Sequence, residues 1–174
     1  QATATEKLET AGFRGAGPAV ARPGWSSLAA AGREFQVSLA REVDAWPTAA
    51  PTDPEAEKSL LSRRAEPLGA VVEAGQAFSS QAATTLDAAA PLAGSLDDNG
   101  RRLLNETGSW LREQLPAELR EAATHHANGQ STRTRESLAS AADVTRRALE
   151  SLPGLAALTD AALVRSLDEE GKLA

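Results

Sequence analysis

Large apolar residues in this chain recur at steps of three and four, and that rhythm constrains the fold more than any other feature. In "WSSLAAAGREFQVSLAREVDAW" they fall at Trp25, Leu28, Phe35, Leu39, Val43 and Trp46, with Gly32 in the gap. Such spacing puts them on one face of a helix and leaves the charged residues on the other. A strand would need alternation, which the stretch lacks. Composition points the same way. Ala supplies 37 of the 174 residues, and Ala, Leu, Arg and Glu head the helix-propensity scale. Aromatic residues make up 3% of the chain, with no Tyr, and residues that suit strands are scarce. The expectation is an all-α protein.

Alanine also limits the shape. It buries little apolar area, so a wide core would be poorly stabilised, whereas small side chains let helix axes approach closely. At about 25 cal/mol per Å² of buried apolar surface, the Leu, Phe and Trp side chains must supply most of the stabilisation. The architecture expected is an elongated antiparallel bundle of about four main helices with short terminal helices, forming one domain.

The breaks between helices follow the Pro and Gly signals. A short helix over Thr3–Ala11 and a Gly/Pro-rich loop occupy residues 1–24. The first main helix covers 25–46, capped by Ser26 or Ser27. "PTAAPTDP" ends it, and Asp53 followed by Pro54 starts the second, 54–98, which Pro67 and Pro91 should kink or break. Its stripe runs from Leu61 through Leu68, Val72, Gly75, Phe78 and onward to Leu96. "LDDNG" reads as a turn centred on Asn99-Gly100. The third helix spans 101–127, with Leu104, Leu111, Leu115, Leu119 and Ala122 on one face and a kink at Pro116. Asn128-Gly129 closes it. The fourth covers 131–151 and is broken by "SLPG". A last short helix, 159–170, takes Thr159 as its cap.

Several functions are disfavoured. The formal charge is −6, with signs interspersed, so no basic stripe is present to neutralise nucleic-acid phosphates. No apolar run approaches the ~20 residues of a membrane span. With no Cys, thiol chemistry, disulfides and thiolate metal sites are excluded. His125 and His126 are the only histidines; adjacent on a helix, they point about 100° apart and do not converge on one ion. Their place in the last turn before Asn128-Gly129 suits the helix dipole instead. Asp97-Asp98 and Asp168-Glu169-Glu170 read as solvated carboxylates without the order of a calcium loop. Nothing assembles a nucleophile, base and orienter, so no catalytic, cofactor-binding or metal-binding residue is expected and the chain reads as a non-enzyme.

Two positions stand out for other reasons. Asn105, in "NET", fits the N-glycosylation triplet. Trp110 sits beside Leu111, and the two cannot share the centre of one narrow stripe, so Trp110 is a candidate to flank the core or face a partner.

The chain begins at Gln1 and contains no Met, which suits removal of a leader and an extracellular or cell-surface setting. In its Ala-rich, Cys-free character, with stripes such as "WSSLAAAGREFQVSLAREVDAW" and "SLASAADVTRRALESL", it resembles the alanine-rich surface coat proteins of trypanosomes, of the glutamic acid/alanine-rich protein type. That resemblance implies an extended helical bundle, lipid-anchored and serving as a coat; it carries over no site residue. This chain is poorer in Glu and Lys than that family's name suggests. The alternative is an exchangeable amphipathic bundle that opens on lipid or a granule surface, similar to apolipophorin or the phasins. Candidate partners are a protein, a lipid or membrane surface, or a second copy forming a homodimer.

Overall fold

The computed structural model describes residues 22–173, with side chains described through residue 169. The expected Thr3–Ala11 helix and most of the following loop lie outside the described residues. Every regular element among the described residues is helical.

Helix α1 (Trp25–Ala45) has Gly24 at its N-cap, with no side-chain cap. Ser26 and Ser27 do not cap it; both lie exposed within its first turn. A tertiary contact fixes the start instead: the Trp25 indole N–H donates to Thr159 Oγ1 at 2.8 Å. The helix stops because Trp46 precedes Pro47, which pushes it into extended geometry.

Helix α2 (Pro54–Ala89) begins as its sequence dictates. Asp53 Oδ1 accepts from the Glu55 N–H at 3.2 Å, with Pro54 in the first turn. Pro67 lies inside the helix without ending it. Pro91 does change the winding: residues Ala90–Ser95 form a 3-10 segment.

Helix α3 (Asp98–Ser109) starts earlier than expected. Asn99-Gly100 is not a turn but part of its first turn, because Asp97 caps it, accepting from the Gly100 N–H at 2.7 Å. A five-residue π segment, Trp110–Gln114, leads directly into helix α4 (Leu115–Ala127). The α4 end follows the sequence reading. Gly129 has φ 73°, its N–H donates to His126 O at 3.0 Å, and the Gln130 N–H donates to His125 O at 2.9 Å. This is the Schellman pairing that left-handed geometry at a glycine permits.

Helix α5 (Ser131–Leu173) merges the two helices expected at 131–151 and 159–170 into 43 residues, about 65 Å at 1.5 Å per residue. "SLPG" does not break it. Ala148, Leu152, Leu155, Thr159 and Ala162 are all buried, so one apolar face runs straight through Pro153. Burying a Leu contributes roughly 1.5–3 kcal/mol, and two of them in this stretch offset the ~3 kcal/mol that an interior proline costs. Thr159 is accordingly not a cap but a buried interior residue whose hydroxyl donates to Leu155 O at 2.8 Å.

Helix α1 packs on α2 and α5, and α4 packs on the same two, while α2 and α5 barely touch. Residue pairs between α1 and α5 run in opposite order: Trp25 with Thr159, Gln36 with Ala142, Trp46 with Arg135. The core between them is made of Leu with Ala, as composition implied; Leu39, Leu111, Leu119 and Leu138 are completely buried, as are Ala82 and Ala141. At its centre Phe35 and Phe78 stack with ring centroids 5.7 Å apart.

The Trp25–Trp46 stripe therefore covers other helices of the same chain, with one change. Val43 only flanks the core, and Glu42 takes the buried position between Leu39 and Trp46. In α2 the buried line is Leu60, Leu68, Val71 and Gly75, with Leu61 and Val72 at its margin.

Candidate functional site

A group of polar side chains gathers where α1 ends and α4 turns into α5. Glu42, 3% exposed, accepts from the Trp46 indole N–H at 2.8 Å and from Arg64 Nε at 3.2 Å, and its second oxygen pairs with Arg64 Nη2. Arg135 Nε donates to Trp46 O at 3.1 Å. His126 lies edge-on to the Trp46 ring and its Nε2 is 2.7 Å from Leu61 O. Glu57, from α2, reaches the start of α5, where it accepts from Ser131 Oγ at 2.7 Å and from the Ser131 N–H at 3.3 Å. A carboxylate there satisfies an orphan donor and meets the positive end of the helix dipole.

Chemically this constellation is a clamp. Glu42 has its oxygens occupied by Arg64 and Trp46. His125 and His126 do not converge: His125 Nδ1 faces Gln130 Oε1 at 3.1 Å, while His126 bonds to α2. Among the described residues no group of three or more His, Asp and Glu is placed to hold a metal ion. Glu118, about two turns before His125, has its pKa raised by burial, then by the neighbouring Glu121, with His125 opposing.

A second arrangement surrounds the π segment. The Leu115 N–H reaches back to Trp110 O, so it no longer serves Leu111 O. The next residue, Pro116, has no N–H to offer. Leu111 O would be a buried acceptor without a donor, and Ser79 supplies one across the helix interface, its Oγ donating at 2.6 Å. The kink expected at Pro116 thus takes the form of a π segment just before it, with the freed carbonyl satisfied from α2. Trp110 opens this segment and is half-buried against the core.

Asn105 is exposed on α3. Thr107, the third residue of its triplet, is completely buried; its hydroxyl lies 2.8 Å from Leu103 O and 2.7 Å from Ser151 Oγ. Asn105 also lines an open groove of about 330 Å³ between α2 and α3, with Leu86, Ala90, Ala93, Gly108 and Arg112. Arg112 crosses the groove to pair with Asp87. Asp97 and Asp98 both serve the helix start, Asp97 as cap and Asp98 paired with Arg101. Sequence reasoning missed Glu42 and Ser79. Glu42 had a signal: from Leu39, a step of three reaches Glu42 and a step of four then reaches Trp46.

Among the described residues no helix is long and apolar enough to cross a membrane. Comparison with family models, with curated proteins and with solved structures finds no match to this chain.

Proposed function

We propose that this chain is a non-enzymatic structural or interaction protein, an elongated antiparallel four-helix bundle that works at an extracellular or cell surface. One observation carries the reading: four polar side chains that could do chemistry, three of them buried, are engaged in joining helices. Glu42 ties α1 to α2, His126 ties α4 to α2, Ser79 ties α2 to the π segment, and Thr107 ties α3 to α5. The opposed order of the α1–α5 pairs supports the antiparallel arrangement. The surface setting rests on the likeness to alanine-rich trypanosome coats. Asn105, exposed on α3, is the position we propose for a glycan, and the exposed helix faces are the surfaces we propose for protein partners.

The same clamp argues against the lipid-exchange alternative. Laying these helices flat on a bilayer would part Glu42 on α1 from Arg64 on α2 and carry the carboxylate to the apolar boundary, where an uncompensated charge is costly. Mixing the protein with phosphatidylcholine and phosphatidylglycerol vesicles tests this. We expect unchanged helicity, unchanged vesicle turbidity and a scattering profile of a rod about as long as α5, near 65 Å. Cleared vesicles with a rise in helicity would replace the reading with a lipid-binding one.

A further inference from the structure

The chain contains the dipeptide Asn-Gly twice, at Asn99-Gly100 and Asn128-Gly129, and the fold treats the two in opposite ways. From that contrast we propose that Asn128 is a site of spontaneous backbone modification, converting through a succinimide to aspartate and isoaspartate, while Asn99 is protected by the fold.

The chemistry needs a side-chain amide and the nitrogen of the next residue. The Gly129 nitrogen attacks Asn128 Cγ and forms a new C–N bond. The Cγ–Nδ2 bond breaks, and ammonia leaves carrying the proton that the glycine nitrogen gives up. Water then opens the five-membered ring at either carbonyl, giving aspartate or isoaspartate. No oxidant, metal or enzyme is required. Ring closure does require the asparagine to leave helical geometry and the glycine N–H to be released. Glycine in second place favours both, since it has no side chain to obstruct the approach.

At Asn128 those requirements fall on a turn. Asn128 is exposed, stands at φ −88°, ψ 6°, and its side chain makes no hydrogen bond among the described residues. Gly129 is exposed with φ 73°. The bonds that must open, Gly129 N–H to His126 O and Gln130 N–H to His125 O, are the last two of a helix end, where opening is least costly.

At Asn99 the same dipeptide is locked. It lies inside the first turn of α3. Gly100 is buried, and its N–H donates to the capping Asp97 at 2.7 Å. Asn99 Oδ1 accepts from Arg102 Nη2 at 3.1 Å. Ring closure would undo the cap and the Arg101 N–H to Asp97 O bond together.

Conversion at Asn128 would add a carboxylate three residues before Ser131, the residue that Glu57 holds at the start of α5, and isoaspartate would lengthen the backbone between α4 and α5 by one carbon. The test is peptide mapping by mass spectrometry of the folded protein held at mildly alkaline pH, with a parallel sample in urea. In urea both asparagines should convert at comparable rates. In the folded protein the peptide bearing Asn128 should convert about tenfold faster than the one bearing Asn99, which corresponds to one capping interaction. The Asp97→Ala variant, checked for helicity, should raise conversion at Asn99 several-fold and leave Asn128 unchanged. Equal rates at the two sites in the folded protein would overturn the proposal. So would failure of Asn128 to convert in the folded protein over a time in which it converts in urea.

Discussion

Phe35 and Phe78 each occupy the space left by the other helix's glycine. The Phe35 ring lies over Gly75 and the Phe78 ring over Gly32, so that a Cβ at either glycine would stand 2.9 Å from the facing ring. The two segments read alike, Gly32-Arg-Glu-Phe35 and Gly75-Gln-Ala-Phe78. Each glycine admits the aromatic that sits three residues after the other. Leu149 completes the packing at Gly32, and Leu119 completes it at Gly75. This reciprocal fit sets how closely α1 and α2 approach, and it explains why two helix-weakening glycines occupy core positions.

Replacing these glycines by alanine should therefore destabilise, against helix propensity. Overpacking costs about 1–3 kcal/mol, and the ~1 kcal/mol that alanine gains in a helix only partly offsets it. Gly75→Ala should cost more than Gly32→Ala, because Leu119 is completely buried and has no room to shift, while Leu149 is only half-buried. Gly69 provides the control: nothing lies within 4 Å of a Cβ there, so Gly69→Ala should stabilise by about 0.5–1 kcal/mol. Urea unfolding of the three variants checks both signs.

Periodicity made the helical class and most of the core legible. It failed where a local rule met a tertiary one. Proline is a strong local stop, yet Pro67 and Pro153 sit inside helices. At Pro153 the contrary signal was present in the sequence, since Ala148, Leu152, Leu155, Thr159 and Ala162 keep the three-and-four rhythm across it. The π segment also leaves a trace. Thr107, Leu111, Leu115 and Leu119 are buried at three successive steps of four, which drift about 40° per step on an ideal helix; one extra residue in the winding absorbs most of that drift. Partners across helices, such as Ser79 for Leu111 O or Arg64 for Glu42, leave no periodic mark at all.

Ser79→Ala should cost about 1–3 kcal/mol, since it leaves the buried Leu111 carbonyl without a donor. Ser80, its exposed neighbour, should tolerate the same change within about 0.5 kcal/mol. Thermal unfolding of the two variants side by side separates loss of the hydroxyl's partner from the effect of alanine in a helix.

Breaking the Glu42–Arg64 pair from the arginine side should be the most damaging single change in the clamp. Arg64→Met strands a carboxylate that is almost fully buried, and removing one partner of a buried pair costs about 3–5 kcal/mol. Glu42→Gln should cost less, because the Arg64 side chain is 24% exposed and can turn to water, and the amide oxygen still accepts from Trp46. The double variant Glu42→Gln with Arg64→Met should recover much of the single Arg64→Met loss. Strict additivity in the double-mutant cycle would contradict this account.

Glu118 supplies a pH dependence whose sign follows from its surroundings. Burial first, and then repulsion from Glu121, raise its folded-state pKa above the ordinary carboxylate value, with His125 acting in the opposite direction. A raised carboxyl pKa means the folded state holds its proton more tightly than the unfolded chain does. Its contribution favours folding while the carboxyl is protonated in both states, and is lost as pH rises from the unfolded-state pKa through the higher folded one. Glu118→Gln removes that loss. The variant should match the parent in acid and be more stable by up to about 0.5 kcal/mol near neutrality, the scale of a partly exposed substitution. Urea titrations on both sides of the carboxylate range check it: a gain confined to acid, or a loss at neutral pH, would mean that the attraction to His125 outweighs burial and Glu121.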